Sequence, residues 1–316
     1  MLFSQKGQRM SSSISHTKAS ACKFNVKSSL SLGWFGNMPE AVLGVYPGLA
    51  CDPNSSGLFE AVKLFQLENG LQSDGKLGRG TWASILRNFH HIENEAPFWT
   101  INDRRIEVDV DSSVKIVNFD QPNGLDLHRF GHFSSRRGRK PHLIVVHWGG
   151  LDPHHCYRVF SSPDREVSSH AGIGLDKHGL PKIYQYLDLH HKSWHAGWAN
   201  SYSVGIDICQ QPSLKWEDYY DAKGYDISVQ NNNTGRGDTK VLSLDPKIAL
   251  AVKEAVMSLC DVLNIPYQFP ISRDGSFDHS VQSKDFLVNG FSGVIGHHHI
   301  TSKKWDCACW WDEIFQ

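Results

Sequence analysis

HLIVVHWGG, residues 142–150, sets the reading of the chain. Leu143 to Val146 form an unbroken apolar run, the pattern of a strand covered on both faces. The run ends on His147. Downstream, HGLPKIYQYLDL reads as a turn followed by a strand, and SVGIDIC, residues 203–209, as another short buried strand. Ala249 to Leu263 places apolar residues at helical spacing with no internal Gly or Pro, so it is expected as a helix packed on a sheet. FSGVIGHHHI, residues 291–300, is expected as a last strand running into a loop. The stretch from Gln210 to Lys240 is polar, aromatic and rich in Asn and Gly, which suits a long loop bordering a site. The expected class is α/β, a central mixed β-sheet flanked by helices.

Upstream the pattern changes. Residues 1–23 are rich in Ser and Lys and read as a mobile leader. Residues 24–90 read as a small all-α domain. In SSGLFEAVKLFQLENG, Phe59, Val62, Phe65 and the stem of Gln66 share one helical face. Gly70 sits where a glycine would end that helix, and Asp74-Gly75 is a turn signal. A second short helix, TWASILRNF, is expected with Thr81 as its cap. Residues 91–140 read as a linker with an edge strand at Ile106 to Val110. SSRRGRK, ending at Lys140, reads as a solvated basic loop. Residues 141–316 form the remaining domain.

Composition excludes several classes. Across 316 residues, 40% are hydrophobic and 21% charged, which is neither disordered nor fibrous. The net charge of −1 argues against nucleic-acid binding through bulk charge. No run reaches the ~18 apolar residues of a membrane span, so no membrane insertion is expected. The first residues lack an apolar core after their Lys and Arg, so cytoplasmic synthesis without a signal peptide is expected. Seven sparse cysteines do not suggest a disulfide scaffold. Histidine is the outlier: 18 residues, fifteen of them from His128 onward.

A catalytic zinc needs three protein ligands and one open position. His147 ends one buried strand, His297 ends another, and Asp306 and Cys307 follow in KKWDCACW. Three such groups can converge on one ion.

Two ordered sets of motifs resemble known families. Phe65-Gln66, Gly70-Leu71, Asp74-Gly75, Gly78 and Thr81-Trp82 resemble the three-helix peptidoglycan-binding domain. The family's earlier DG-x-x-G element is reduced here to Gly57. VVHWGG, SSHAGIGLDKHG, WHAGWANSYSVGIDI and IGHHHITSKKWDC, in this order, resemble the zinc-dependent N-acetylmuramoyl-L-alanine amidases of type 2. That fold is shared with peptidoglycan recognition proteins.

The second resemblance implies zinc held by His147, His297 and Asp306, with Cys307 as competitor for the third position. His298 and His299 compete less seriously with His297. It implies attack by a zinc-activated water on the amide between N-acetylmuramic acid and L-alanine, with Lys304 facing the oxyanion. The family's acid/base group is either a Tyr, replaced here by Ser169, or a Glu, replaced here by Asp207. Asp207 is therefore the expected base. His195 is implied in substrate contact or oxyanion support, and Trp194 and Trp198 in packing on sugar or peptide. The pairs His154-His155 and His190-His191 are expected at the surface. Together these imply a monomeric, phage endolysin-like enzyme acting on bacterial peptidoglycan after release by a separate holin. The alternatives are a non-catalytic recognition protein and a zinc peptidase cutting within the stem peptide.

Overall fold

The computed structural model describes residues 6–32, 34–35, 43, 46–82, 84–85, 96–121, 123–232 and 234–316, leaving aside the side chains of 6–17 and 32. The chain divides into two compact units, Met1–Glu95 and Ala96–Gln316.

In the first unit, α1 spans Lys6–Leu32 and α2 spans Ser56–Glu68. Ser55 starts α2 because its hydroxyl accepts from the Leu58 N–H, satisfying an otherwise orphaned donor. Leu58, Val62 and Phe65 are fully buried along one stripe of α2. Gln66 continues that stripe and ties the following turn to the helix. Its amide nitrogen donates to Asp74 Oδ1, the Lys76 carbonyl and Thr81 Oγ1. Its oxygen accepts from the Gly75 N–H at 2.9 Å. Gly75 has φ +71°, and a Cβ there would lie 2.4 Å from the Phe59 ring. The FQ and DG motifs are thus two halves of one hydrogen-bonded corner.

Two expectations for this unit change. The mobile leader does not end at residue 23. That position lies inside α1, and Ala21 and Cys22 are buried against Phe59. The polar residues of α1 point inward for a reason: Asn25 donates to the Gly75 carbonyl and accepts from Leu77 N–H, and Ser28 donates to the Leu77 carbonyl. Thr81 is not a cap, since the chain is already helical from Arg79. Residues 83 and 86–89 of the expected second helix, residue 90, and 91–95 of the linker lie outside the described residues.

The second unit begins with a hairpin of β1 (Phe98–Ile101) and β2 (Arg104–Glu107), followed by β3 (Lys115–Asn118) and β4 (Phe133–Ser135). Next come β5 (Leu143–Trp148), α3 (Pro153–Phe160), β6 (Ala171–Leu175), β7 (Pro181–Gln185), β8 (His191–Ser193) and β9 (Ser203–Ile208). The chain closes with α4 (Glu217–Asp221), the hairpin β10 (Val229–Asn231) and β11 (Lys240–Leu242), α5 (Pro246–Leu263), β12 (Gly293–Gly296) and α6 (Trp311–Phe315). The main sheet has six strands in the order β12-β5-β9-β6-β7-β3. All neighbours are parallel except β6 and β7, so the sheet is mixed, as expected.

Side chains alternate along each strand. On β5, Ile144 and Val146 join the large core beneath α5, where Val252, Ala255 and Leu259 pack. Leu143 and Val145 point to the other face, with Ala199, Leu287 and Ile295. His147 continues this second set.

Residues 96–140 are part of this unit, not a linker. Trp99 is fully buried in the α5 core, and its indole donates to Ser258 Oγ at 2.9 Å. The edge strand expected from Ile106 to Val110 is present as β2, exposed throughout, but it ends at Glu107 and pairs with β1, and within this stretch it is β3 that edges the main sheet. The basic loop is not wholly solvated either. Arg136 is 5% exposed, and its guanidinium donates to the carbonyls of Asn200 and Ser203. The stretch from Gln210 to Lys240 contains α4 and one strand of the β10–β11 hairpin, so it is no simple loop.

Replacing Gln66 by Ala should strip the Gly75 N–H of its partner and take one of three donors from the Lys76 carbonyl, a loss of about 2 kcal/mol. Hydrogen–deuterium exchange on the full chain should then show faster exchange throughout α2 and the turn at 74–77.

Candidate functional site

The strands β12, β5 and β9 lie side by side and run the same way, so their C-terminal ends meet. Parallel sheets place ligands outside these ends. His147 and Asp207 are paired directly across β5 and β9, so both side chains stand on one face. His297 follows the last residue of β12 in a short 3-10 turn, His297–His299. Asp306 arrives from the next loop and is 6% exposed.

Three atoms converge here. His147 Nδ1 and His297 Nδ1 are 3.1 Å apart. Asp306 Oδ2 lies 3.1 Å from His297 Nδ1 and 3.6 Å from His147 Nδ1. Donor atoms about 2.0–2.1 Å from a tetrahedral zinc stand about 3.3–3.4 Å apart, so the spacing fits the edges of such a polyhedron. Among the described residues this is the group of His, Cys, Asp and Glu whose ligand atoms lie close enough to hold a metal. Burial alone would raise the Asp306 carboxyl, but the hydrogen bonds of His147 and His297 outweigh it and hold it well below the carboxylate range. Burial lowers the His297 imidazole. Both shifts favour the unprotonated, ligating forms.

His195 borders the cleft and bonds His147 from its far ring nitrogen. Its Nδ1 is 2.9 Å from His147 Nε2, and its Nε2 is 3.1 Å from Ser203 Oγ, which donates to the Ala199 carbonyl. Once His147 offers Nδ1 to a metal, its Nε2 carries the proton and donates to His195, the usual outer partner of a ligating histidine. Gly205 makes this possible, because a Cβ there would sit 2.5 Å from His195 Nδ1. His195 thus holds His147 while its own ring lines the cleft.

The other candidates separate clearly. The Cys307 thiol is buried and donates to the Val146 carbonyl at 3.2 Å, away from the three-atom cluster. Burial also raises its pKa, which disfavours the thiolate. His298 and His299 are buried and bond the carbonyls of Asp306 and Asp278. Lys304 is exposed and, with Trp194, lines a cleft of about 430 Å³ over the cluster. Trp198 does not line it. Its ring packs near Ala196 and Ile295 with Lys284 Nζ 5.5 Å from its centroid.

Burial raises the Asp207 carboxyl, while His147 and the Ser169 hydroxyl oppose the shift. Sequence reading missed Trp148, Arg165, Gln211, Lys215 and Trp216 on the cleft walls. Trp148 carried a signal because it follows His147 directly, and Gln211, Lys215 and Trp216 fall in the stretch from Gln210 expected to border a site. His155 also reaches the cleft, where its Nδ1 accepts from the Leu151 N–H, so it is not a bare surface residue. His190 and His191 are half-buried, their rings 3.9 Å apart.

A model of the N-acetylmuramoyl-L-alanine amidase family matches residues 137–308. The chain belongs to this amidase family. A putative peptidoglycan binding domain matches residues 41–85. The chain is therefore a modular peptidoglycan hydrolase, with a binding module ahead of the amidase unit. A search of curated proteins finds no match.

Among solved structures, the catalytic domain of XlyA is 20% identical, over 63% of this chain and 96% of that one, with a TM-score of 0.33. PlyL is 15% identical over 66% and 96%, with a TM-score of 0.35. A mutant endolysin from Bacillus subtilis is 20% identical over 64% and 96%, with a TM-score of 0.34. No helix among the described residues is long and apolar enough to cross a membrane.

Behind the amidase site, His170 is fully buried, and burial lowers its pKa to about 3. Its Nδ1 accepts from Gly205 N–H and Ser193 Oγ, and its Nε2 donates to the His191 carbonyl. The unfolded chain takes up this proton near pH 6.5. Stability is therefore complete above that pH and falls toward the folded value, by up to about 1.4 kcal/mol per pH unit. Urea midpoints should drop between pH 7 and 5, and nitrogen NMR should show the His170 ring still neutral at pH 5. A ring titrating near its free value would refute this.

Proposed function

We propose that the amidase unit hydrolyses the amide bond between the lactyl group of N-acetylmuramic acid and L-alanine, with a zinc ion held by His147, His297 and Asp306. The observation that carries this reading is the convergence of two imidazole nitrogens and one carboxylate oxygen within 3.6 Å at the ends of two adjacent parallel strands and the loop after them. Bound there, zinc would supply an acidified water and a polarised carbonyl.

The chain's own residues supply the rest. Asp207 is the base. Its raised pKa strengthens its hold on a proton, which it then returns to the leaving amine. As Asp in a family position that is otherwise Glu, it sits one methylene further back. Its pairing with His147 keeps it beside the ligand cluster. Lys304 brings a positive charge from the rim to the oxyanion. Trp194 offers an aromatic wall, braced by stacking on His132 with ring centroids 6.0 Å apart. His195 fixes the tautomer of His147 from behind.

The first unit raises the local concentration of wall polymer, so modest affinity there is enough. As a biological setting we infer a monomeric phage lytic enzyme, made in the host cytoplasm and released to the wall by a holin. The pairing of an amidase unit with a wall-binding module supports this.

Replacing His147 by Ala should abolish wall clearing and lower zinc content. Asp207→Asn should keep zinc and lose about 10²–10⁴-fold in kcat. Equal turnover would remove Asp207 from the base role. Mass spectrometry of digested peptidoglycan should show new L-alanine amino termini on intact glycan, lost with chelator. Release of D-amino acids would point instead to a peptidase.

A further inference from the structure

The loop carrying Asp306 is held by groups that face away from the cleft. His298 is fully buried, with its Nδ1 3.0 Å from the Asp306 carbonyl oxygen. A carbonyl only accepts, so Nδ1 bears the hydrogen and donates. Nε2 is then an acceptor, and His279 Nδ1 approaches it at 3.4 Å. The His298 carbonyl accepts from Arg236 Nη1 at 2.8 Å. The imidazole lies 3.9 Å from the His299 ring and 5.4 Å from the Trp311 ring, centroid to centroid. Gly296 makes room for it, because a Cβ there would meet the ring at 2.4 Å.

The same loop is gripped at a second point. Trp305, next to Asp306, meets Trp148 edge-on at 4.4 Å. Gly237 lies beneath it, where a Cβ would come within 2.2 Å of the indole. The turn carrying Arg236 and Gly237 therefore touches the Asp306 loop twice and braces it.

We propose that His298, with Arg236 on its carbonyl, is a positioning residue that sets Asp306 in ligating geometry before a metal arrives. This rests on reading His147, His297 and Asp306 as metal ligands. His298 serves both ends of the loop: its backbone follows one ligand directly, and its side chain holds the backbone of another. Without that donor, the Asp306 carboxylate would have to be ordered at the expense of metal affinity.

The test uses the full chain and zinc alone, with affinity measured by competition with a chromophoric chelator. His298→Phe keeps an aromatic ring but has no donor, and should weaken zinc binding by about 10–100-fold. His298→Asn, whose amide donates from near the Nδ1 position, should recover most of that loss. Thermal midpoints of the metal-free variants monitor folding, and Arg236→Gln decides the matter if His298→Phe does not fold. It should lower affinity in the same direction, by less. Unchanged affinity in the folded variants would overturn the proposal, as would equal losses in the Asn and Phe variants, which would indicate packing alone. Failure of the unaltered chain to bind zinc would instead overturn the metal reading, and this inference with it.

Discussion

Parallel hydrogen bonding among β12, β5 and β9 aligns three strand ends on one edge of the sheet. The rest of the amidase unit depends on this alignment. The register pairs Gly296 with Val146 and His147 with Asp207, so the residues that follow emerge at one level. A one-residue slip in either pair would turn a site residue toward the α5 core. The apolar alternation forbids that slip, because it would also drive Ile144 and Val146 out of their core. Hydrophobic patterning thus fixes the chemistry indirectly, by fixing which face each polar residue must take.

Close approach in this unit is made possible by missing side chains. Gly205 admits the His195 ring, Gly296 the His298 ring and Gly237 the Trp305 ring. Gly149 lies against Cys156 and Asp207 in the same way. Rings stacked on bare backbone have little room to change rotamer. That rigidity suits a site in which small displacements of a ligand cost affinity.

The sheet and the three candidate ligands were legible in the sequence because each is local. A buried strand announces itself by a run such as Leu143 to Val146, and a strand-end histidine by its place after the run. Tertiary partners were not legible. Nothing local distinguishes Arg136, buried against carbonyls, from its exposed neighbour Arg137. The polar composition of α1 suggested a leader, since inward Asn25 and Ser28 are explained only by the turn they bond some fifty residues away. The motif around His195 suggested a place at the substrate, and its bond to His147 is visible only in the folded chain. The excess of histidine resolves similarly. His170, His298 and His299 are buried rings that bond backbone atoms, so part of the excess serves packing and backbone bonding.

The three proposed ligands come from positions 147, 297 and 306, so no short segment of the chain holds more than two of them. An ion that binds all three can do so only in the completed sheet. Metal binding and folding are then thermodynamically linked. Each tenfold rise in free metal above the dissociation constant would stabilise the native unit by about 1.4 kcal/mol. The ion would act as a staple across some 160 residues in a unit built without disulfides among its described cysteines. Scarcity of metal would then threaten the lifetime of the fold as well as turnover.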